Sequence, residues 1–325
     1  MNKKPIFLLA LIFSFISCKQ TKNIKRNNTK VTQKKNISID SSLVRKHLYT
    51  LSSDEMEGRK PGTEGMEKTT VYIENEYKKI GLKTFGDLKS YRQNFTHKGI
   101  KMSNIIGVLE GKTKKNEFVI VSAHHDHLGV KKSGDGDRIF NGANDDASGV
   151  VGVLTLAEYF AKSDTNERSI LFVCFTAEEM GLIGSTYFGK GIDPTKFVAG
   201  INLELIGKEP KTGPKTAWLT GFDRSNFGKI IQKNLEGTDY KLFPDPYLKF
   251  NLFFRSDNAS LARLGVPSHT FSTTPIDIDP DYHKVSDEAE TLNVGVLTET
   301  VKAVAKGTES IINGKDTPTR VVIKE

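Results

Sequence analysis

The sequence contains very little cysteine, with only Cys18 and Cys174 among 325 residues. Cys18 ends an N-terminal apolar segment, so the rest of the chain holds a single cysteine and cannot form an internal disulfide. Cys174 lies inside the apolar run at 169–175 without an adjacent basic partner, which predicts a buried and inert thiol rather than a nucleophile. The fold must therefore depend on its hydrophobic core.

Excess positive charge is also missing from most of the chain, although the whole sequence carries a formal net charge of +8. Nine of the 47 basic residues lie within 1–35, and Asp40 is the first acidic residue, which leaves 38 basic against 39 acidic residues. A near-neutral body lacks the electrostatic footprint of a nucleic-acid-binding protein. We expect no nucleic-acid partner.

The N-terminus accounts for the charge. Lys3-Lys4 precedes an apolar run at 6–17 that is too short to span a bilayer comfortably, which favours a secretory signal peptide over 1–17. The run ends Phe-Ile-Ser-Cys and resembles a bacterial lipobox with Cys18 as the lipid-bearing residue. A plain signal peptide with an incidental cysteine is the alternative. We expect an exported, lipid-anchored protein of a bacterial cell envelope, facing the periplasm or on the surface, with a flexible tether over 18–39.

Strand and helix patterns alternate along the remaining chain, over 40–325. Continuous apolar runs predict strands, amphipathic stretches predict helices, and the turn-rich segment at 52–63 reads as a surface loop. Predicted helices lie at Ser41–Leu51, Glu64–Ile80, 147–162, 180–189 and 293–312; predicted strands include 104–109, 118–123, 169–175, 197–206 and 266–271. This order indicates one α/β domain with a mixed, mostly parallel central sheet.

Polar clusters follow several of these strands, where active sites of parallel sheets collect. The sequence lacks a His-Glu-x-x-His helix, a Gly-x-Ser-x-Gly elbow and a phosphate-binding glycine loop. The clusters instead offer imidazoles and carboxylates, enough for two divalent metals. They are His124–His127, 144–146, Glu178-Glu179, Glu204 and Tyr282-His283.

Five ordered motifs resemble the secreted co-catalytic di-zinc aminopeptidases of peptidase clan MH, whose relatives include glutamate carboxypeptidase and glutaminyl cyclase. They are Ser-Ala-His-His-Asp-His-Leu-Gly at 122–129, Gly-Ala-Asn-Asp-Asp-Ala-Ser-Gly at 142–149, Ala-Glu-Glu-Met-Gly-Leu-Ile-Gly-Ser at 177–185, Asn-Leu-Glu-Leu-Ile-Gly at 202–207 and Asp-Tyr-His-Lys-Val-Ser-Asp at 281–287. The resemblance implies a three-layer sandwich of the zinc-peptidase, phosphorylase/hydrolase-like type, with helices on both faces of the sheet.

The resemblance also implies a ligand set for two Zn²⁺ ions per chain, with Co²⁺ or Mn²⁺ as possible substitutes. His124 and Glu204 bind one ion, Glu179 and His283 bind the other, and Asp145 bridges them. Two supporting carboxylates follow from the same motifs. Asp126 accepts the remaining ring proton of His124, and Asp146 lies beside the bridging residue in a strained cis peptide.

The same resemblance assigns two catalytic side chains. Glu178 acts as the general base and later protonates the leaving amine, and Tyr282 directs its hydroxyl at the developing oxyanion. A packed core tyrosine is the alternative for Tyr282. Glu204 departs from the pattern, because the best-known members carry Asp there. His127 is an additional imidazole that we expect behind the site or on the surface.

The leading functional hypothesis is a metal-dependent aminopeptidase that acts on peptide substrates. Three alternatives stay open: a glutaminyl cyclase, which is an acyltransferase working with one zinc; a carboxypeptidase or dipeptidase of the same family; and a non-catalytic binding module. The intact Glu178-Glu179 pair and the position of Trp218 outside all five motifs argue against the cyclase. The oligomeric state and the preferred N-terminal residue do not follow from the sequence.

Overall fold

The fold is that of a computed structural model, in which Met1 and residues 37–323 are described. The predicted signal peptide, Cys18 and nearly all of the predicted tether lie outside the described residues. The helices are α1 Ser41–Leu51, α2 Glu64–Ile80, α3 Ser148–Ser163, α4 Ile183–Lys190, α5 Phe227–Leu235, α6 Asn258–Ala262, α7 Val294–Gly307 and α8 Glu309–Ile312. The strands are β1 Lys83–Thr84, β2 Arg92–His97, β3 Ile100–Leu109, β4 Lys114–His124, β5 Gly129–Val130, β6 Ile139–Phe140, β7 Arg168–Phe175, β8 Phe197–Leu203, β9 Thr216–Leu219, β10 Lys241–Pro244 and β11 Ser268–Ser272.

Nine of these strands form one sheet with the order β1-β3-β7-β4-β8-β11-β9-β10, and β2 pairs with β3. The four central strands β7, β4, β8 and β11 run parallel to one another. Antiparallel pairs join this centre to β3 on one side and to β9 on the other. The predicted mixed sheet with a parallel centre is therefore confirmed.

Helices cover both faces of the sheet, as a three-layer sandwich requires. Side chains of β7 alternate between two cores: Phe172 packs in the larger core with α3 and α7, whereas Val173 packs in the smaller core. Phe188 of α4 and Leu261 of α6 belong to that smaller core. Strands buried on both faces read as continuous apolar runs, which is why the sequence revealed them.

Local chemistry sets the helix ends. Asp40 caps α1 by accepting a hydrogen bond from the backbone of Ser42, and Thr63 caps α2. Gly81 ends α2 with φ 84°, a left-handed conformation that favours glycine. Both helices have the predicted bounds. Among the described residues, no helix is long and apolar enough to cross a lipid bilayer.

The prediction of a surface loop at 52–63 is wrong. The segment contains a 3₁₀ turn, Asp54–Arg59, and Met56, Gly58 and Arg59 are buried. Turn-forming and charged residues suggested exposure, but the buried Arg59 guanidinium is satisfied by carbonyls from distant segments. The predicted closing helix is also divided, because α7 ends at Gly307 and α8 starts at Glu309.

Candidate metal centre

The five predicted metal ligands lie at the carboxyl end of the central strands. His124 is the last residue of β4, and Glu204 follows the last residue of β8. Glu179 follows β7, Asp145 lies in a kinked turn just before α3, and His283 lies in the loop between β11 and α7. Parallel strands bring these separate segments to one edge of the sheet, as expected for an active site of this architecture.

Asp145 lies between two imidazoles. Its Oδ1 is 3.1 Å from Nε2 of His124, and its Oδ2 is 3.1 Å from Nε2 of His283. The same nitrogen of His283 is 3.3 Å from Oε2 of Glu179. Burial would raise the pKa of Asp145, but hydrogen bonds from His124 and His283 hold it well below its usual range. A carboxylate that offers one oxygen to each side has the arrangement of a bridging ligand.

The donor set fits divalent cations. Nε2 of His127 and Oε2 of Glu204 are buried and have no hydrogen-bond partner within the described part of the chain. Such atoms are costly to bury unless a cation or water satisfies them. Ligand atoms of His127, Asp145 and Glu179 also lie within 4.8 Å of one another. Nitrogen and oxygen donors without a thiolate suit zinc.

His127 lies in the candidate site, although it is not among the five predicted ligands. It is only 1% exposed, and its Nδ1 lies 2.8 Å from Oε1 of Glu179 and 4.0 Å from Oδ2 of Asp145. Its ring also meets that of His283, with centroids 5.8 Å apart. We expected His127 behind the ligands or on the surface; the contact with Glu179 agrees with the first position, and its burial excludes the second. Its place three residues after His124, at the end of a buried strand, was the available signal.

Glu204 lies in a strongly acidic environment. Burial and the nearby Asp145 raise its pKa to about 7, against the opposing effect of His124. In the metal-free protein this carboxyl is therefore half-protonated near neutral pH. A cation at the site would supply the missing positive charge and favour the ionised form. The longer side chain at this position is thus accommodated in the buried cluster, and its role as a ligand stays a prediction.

Asp126 supports the site differently from the prediction. Nδ1 of His124 is 3.1 Å from the backbone carbonyl oxygen of Asp126 and 3.7 Å from its carboxylate. The carboxylate instead accepts hydrogen bonds from the backbone N–H groups of Glu178, at 3.0 Å, and Glu179, at 3.3 Å. Asp126 therefore fixes the turn that presents both glutamates, and its carbonyl rather than its carboxylate is nearest to the His124 ring.

Glu178 has the environment of a proton carrier. Burial raises its pKa well above the ordinary range, and the neighbouring Glu204, Asp257 and Glu179 add to this effect while His124 opposes it. Its neighbour Glu179 has a lowered pKa, because hydrogen bonds from His127 and His283 outweigh burial. Adjacent carboxylates with opposite shifts can divide the work of proton transfer and cation binding.

Tyr282 stacks on His283, with ring centroids 4.0 Å apart and an interplanar angle of 19°. Burial raises the pKa of Tyr282, and the carboxylates of Asp145, Glu204 and Glu179 raise it further. The hydroxyl is therefore protonated at neutral pH and can only act as a hydrogen-bond donor towards an oxyanion. Its proximity to these carboxylates argues against a simple core position.

Two more aspartates hold the turn that contains Asp145, here called the bridging turn. Asp146 follows Asp145 through a cis peptide bond, and its Oδ1 accepts from the N–H groups of Gly149, at 3.0 Å, and Leu205, at 3.3 Å. Asp287 accepts from the N–H groups of Asn144, at 2.9 Å, and Asp145, at 3.0 Å. These contacts tie the turn to α3, to the end of β8 and to the loop that carries His283.

A small cleft lies beside Glu204 and Tyr282. Trp218, Arg255 and Ile276 are among its lining residues, so Trp218 lies at the site although it is outside the five motifs. The loops at 209–215 and 243–254 line an adjoining cleft that shares Trp218.

With this geometry established, comparison with known proteins identifies the family. The model of Peptidase family M28 matches residues 104–308. The chain belongs to this family. It is also 24% identical over 236 residues to leucine aminopeptidase 2 of Trichophyton rubrum, covering 62% of this chain and 46% of that protein. Over 136 residues it is 36% identical to a vacuolar membrane protease of Saccharomyces cerevisiae, covering 41% of this chain and 12% of the relative.

The chain thus spans less than half the length of these curated relatives. Among solved structures, a zinc aminopeptidase from Bacillus subtilis has a TM-score of 0.70 at 15% identity, covering 89% of this chain and all of that one. The Porphyromonas gingivalis glutaminyl cyclase has a TM-score of 0.67 at 16% identity, covering 84% and 99%. Because both activities occur on one fold, structural similarity establishes the architecture, and the activity must be argued from the site.

Proposed function

We propose that the protein is a two-metal aminopeptidase that hydrolyses the N-terminal residue from peptides. The observation that carries this proposal is Asp145, whose two carboxylate oxygens face His124 on one side and His283 on the other at 3.1 Å each. Glu204 would complete the first position and Glu179 the second. When bound, the two metals lower the pKa of a water molecule and polarise the scissile carbonyl group.

The residues of the chain supply the remaining steps. Glu178 removes a proton from the attacking water and returns it to the leaving amine, a role that its raised pKa favours near neutral pH. Tyr282 donates its hydroxyl hydrogen to the oxygen on which negative charge develops. Asp126 holds both glutamates through their backbone N–H groups, so that proton transfer and metal binding keep a fixed relation.

A glutaminyl cyclase remains the second candidate, because Trp218 lies in the cleft beside Glu204. A screen of the purified protein with aminoacyl-arylamides, N-acetylated peptides and glutaminyl peptides separates the two reactions. The proposal predicts that free N-termini alone are hydrolysed and that a chelator abolishes the activity. Cyclised glutaminyl products, or cleavage of N-acetylated peptides from the carboxyl end, would contradict it.

We further propose that the chain is exported through the signal peptide 1–17 and anchored to a bacterial envelope membrane by a lipid on Cys18. The short apolar run, its basic start and the Phe-Ile-Ser-Cys ending support this location. The near-neutral composition of 40–325 agrees with a catalytic domain held near the membrane by a tether rather than by surface charge. Peptides that reach the envelope would then be the substrates.

A further inference from the structure

Arg59 is buried beneath the candidate metal centre, although its segment was predicted to be a surface loop. It ends the 3₁₀ turn Asp54–Arg59 and is 1% exposed. Glu57, Gly58 and Arg59 all have positive φ values, 49°, 62° and 49°. A Cβ atom on Gly58 would lie 2.4 Å from the carbonyl oxygen of Gly129, so the turn is pressed against the loop that follows His127. Left-handed backbone at non-glycine residues is costly and persists only where the surroundings enforce it.

All five N–H donors of the Arg59 guanidinium are used, and every acceptor is a backbone carbonyl oxygen. Nε donates to His125 at 3.1 Å, and Nη2 donates to Gly142 at 2.8 Å and to Asp145 at 3.2 Å. Nη1 donates to Leu51 at 2.9 Å and to Asn141. The planar fork therefore fixes several carbonyl directions at once, which a lysine ammonium cannot reproduce.

Four of these five carbonyls belong to the segments that carry His124 and Asp145 or lead into them, and the fifth, that of Leu51, ends α1. His125 follows the ligand His124, and the Asp145 carbonyl belongs to the bridging residue itself. The carbonyl oxygen of Arg59 also accepts a hydrogen bond from the N–H of His127 at 3.2 Å. One residue thus joins the loop after β4 to the turn before α3. The first segment directly follows His124, a predicted ligand of one metal ion. The second contains Asp145, the predicted bridging ligand.

The charge of Arg59 faces the acidic side of the site. Burial lowers its pKa, and the nearby carboxylates of Asp287, Asp145, Asp146 and Asp126 oppose that shift. A permanent positive charge beneath these groups reduces their mutual repulsion before any metal binds. Geometry and charge therefore act at the same place.

We infer that Arg59 is a positioning residue, which holds the loop after β4 and the turn before α3 in the geometry that metal binding requires. Its loss therefore weakens metal binding more than it weakens the fold. The inference rests on the proposed two-metal function. Residues that orient metal ligands typically contribute about 10–100-fold to metal affinity. We expect an effect of that size from Arg59→Lys, which keeps the charge and loses the fork.

Arg168 provides a matched control. It is also 1% exposed, and its guanidinium donates to Glu117, to the carbonyls of Ile311 and Asp316, and to Thr317. It is the first residue of β7, so it lies at the end of the parallel strands opposite to the candidate site. Arg168→Lys should therefore destabilise the protein and leave its zinc affinity unchanged.

The test measures zinc dissociation constants by chelator competition on wild type, Arg59→Lys and Arg168→Lys, together with thermal unfolding of each metal-free protein. We expect about 10–100-fold weaker zinc binding for Arg59→Lys only. Equal zinc affinity in all three proteins overturns the inference about Arg59 while leaving the proposed function intact. Absence of zinc binding by the wild type overturns the proposed function itself.

Hydrogen exchange on the unaltered protein gives a second test, which does not require Arg59→Lys to fold. The N–H of Ala143 donates to the carbonyl oxygen of Asp287, and the N–H of Ala147 donates to the carbonyl oxygen of Gly142. If Arg59 pre-organises the bridging turn, these amides are protected in the metal-free wild type as strongly as core amides of β4. Rapid exchange of these amides until zinc is added overturns the inference.

Discussion

Adjacent carboxylates in this site have opposite acid–base properties because their surroundings differ. Burial and neighbouring carboxyl groups raise the pKa of Glu178, whereas hydrogen bonds from two imidazoles lower the pKa of Glu179. The first is suited to carrying a proton and the second to remaining an anion. This difference supports the separate roles proposed for the two glutamates.

We expect Glu178→Gln to lower kcat by about 10²–10⁴-fold, since the amide cannot transfer a proton, with zinc content unchanged. Glu179→Gln is the matched control, because it removes a predicted ligand and should lower zinc content as well. Steady-state kinetics and metal analysis of the same preparations distinguish the two variants. Wild-type activity in Glu178→Gln would remove this residue as the base.

At the level of single residues, sequence reasoning identified the motif residues and missed those that act through distant contacts. His124 and Glu204 could be predicted because they end buried strands. Arg59 could not, since its acceptors at His125 and Asp145 lie 66 and 86 residues further along the chain. The contacts of the Asp126 carboxylate with the N–H groups of Glu178 and Glu179 were not predicted for the same reason, because these donors follow another strand.

The loop between β11 and α7 is the element that delivers His283 and Tyr282, and it has little regular structure to hold it. Lys208, just beyond β8, forms ion pairs with Asp279 and with Asp281, the latter at 2.7 Å. The Lys208 side chain is 14% exposed. Asp287 closes the other end of the loop on the bridging turn. The loop is therefore anchored on both sides of the two functional residues.

Lys208→Met should destabilise the protein by about 3 kcal/mol, because it leaves the buried Asp279 carboxylate without its partner. It should also lower zinc affinity through the displaced His283. Lys211→Met is the control: Lys211 pairs with Asp277 on the same loop, but it is 46% exposed, and its loss should cost less than about 1 kcal/mol. Chemical denaturation and zinc titration check both variants, and equal effects would argue against an anchoring role for Lys208.

Elements that span the core were predictable and those that wrap the site were not. The apolar runs of β4 and β7 define strands buried on both faces, and the bounds of α1 and α2 follow from their capping residues. The segment at 52–63 contains no apolar periodicity, and its inward position results from polar contacts that sequence patterns do not reveal. The short β5–β6 hairpin falls in the same category.

The groups of the candidate site whose pKa is raised should make stability respond to pH in opposite ways with and without metal. In the metal-free fold, burial raises the pKa of Glu204 to about 7, burial raises that of Asp287 to about 6, and hydrogen bonds to Asp145 and Glu179 raise that of His283 to about 10. The folded state then holds protons that the unfolded state releases. Stability from these groups is present at low pH and is lost as pH rises between about 4 and 10.

Zinc binding requires deprotonated ligands, so its stabilising effect increases with pH. We therefore expect the difference in melting temperature between zinc-loaded and metal-free protein to grow from pH 5 to pH 8. Thermal unfolding in matched buffers measures it. A difference that shrinks over this range would contradict the assignment of these protonated groups to the metal centre.

Membrane attachment through Cys18 is the remaining proposal about the whole chain. We expect Cys18→Ser to move the full-length protein from the membrane fraction to the soluble fraction, because lipid attachment needs the thiol. Cys174→Ser, at a buried thiol, is the control and should leave the distribution unchanged. Fractionation followed by mass spectrometry of the N-terminus checks both. Persistent membrane association of Cys18→Ser would contradict the anchor.

Counting the zinc ions that each chain binds is the sharpest test of the two-metal proposal. We propose one metal position between His124 and Glu204 and a second between Glu179 and His283. Asp145 is the ligand that the two positions share. Metal analysis of the purified protein after zinc loading and removal of free ions should give two zinc ions per chain, and one or fewer in His283→Ala. A single zinc ion per wild-type chain, or the same content in both proteins, would contradict it.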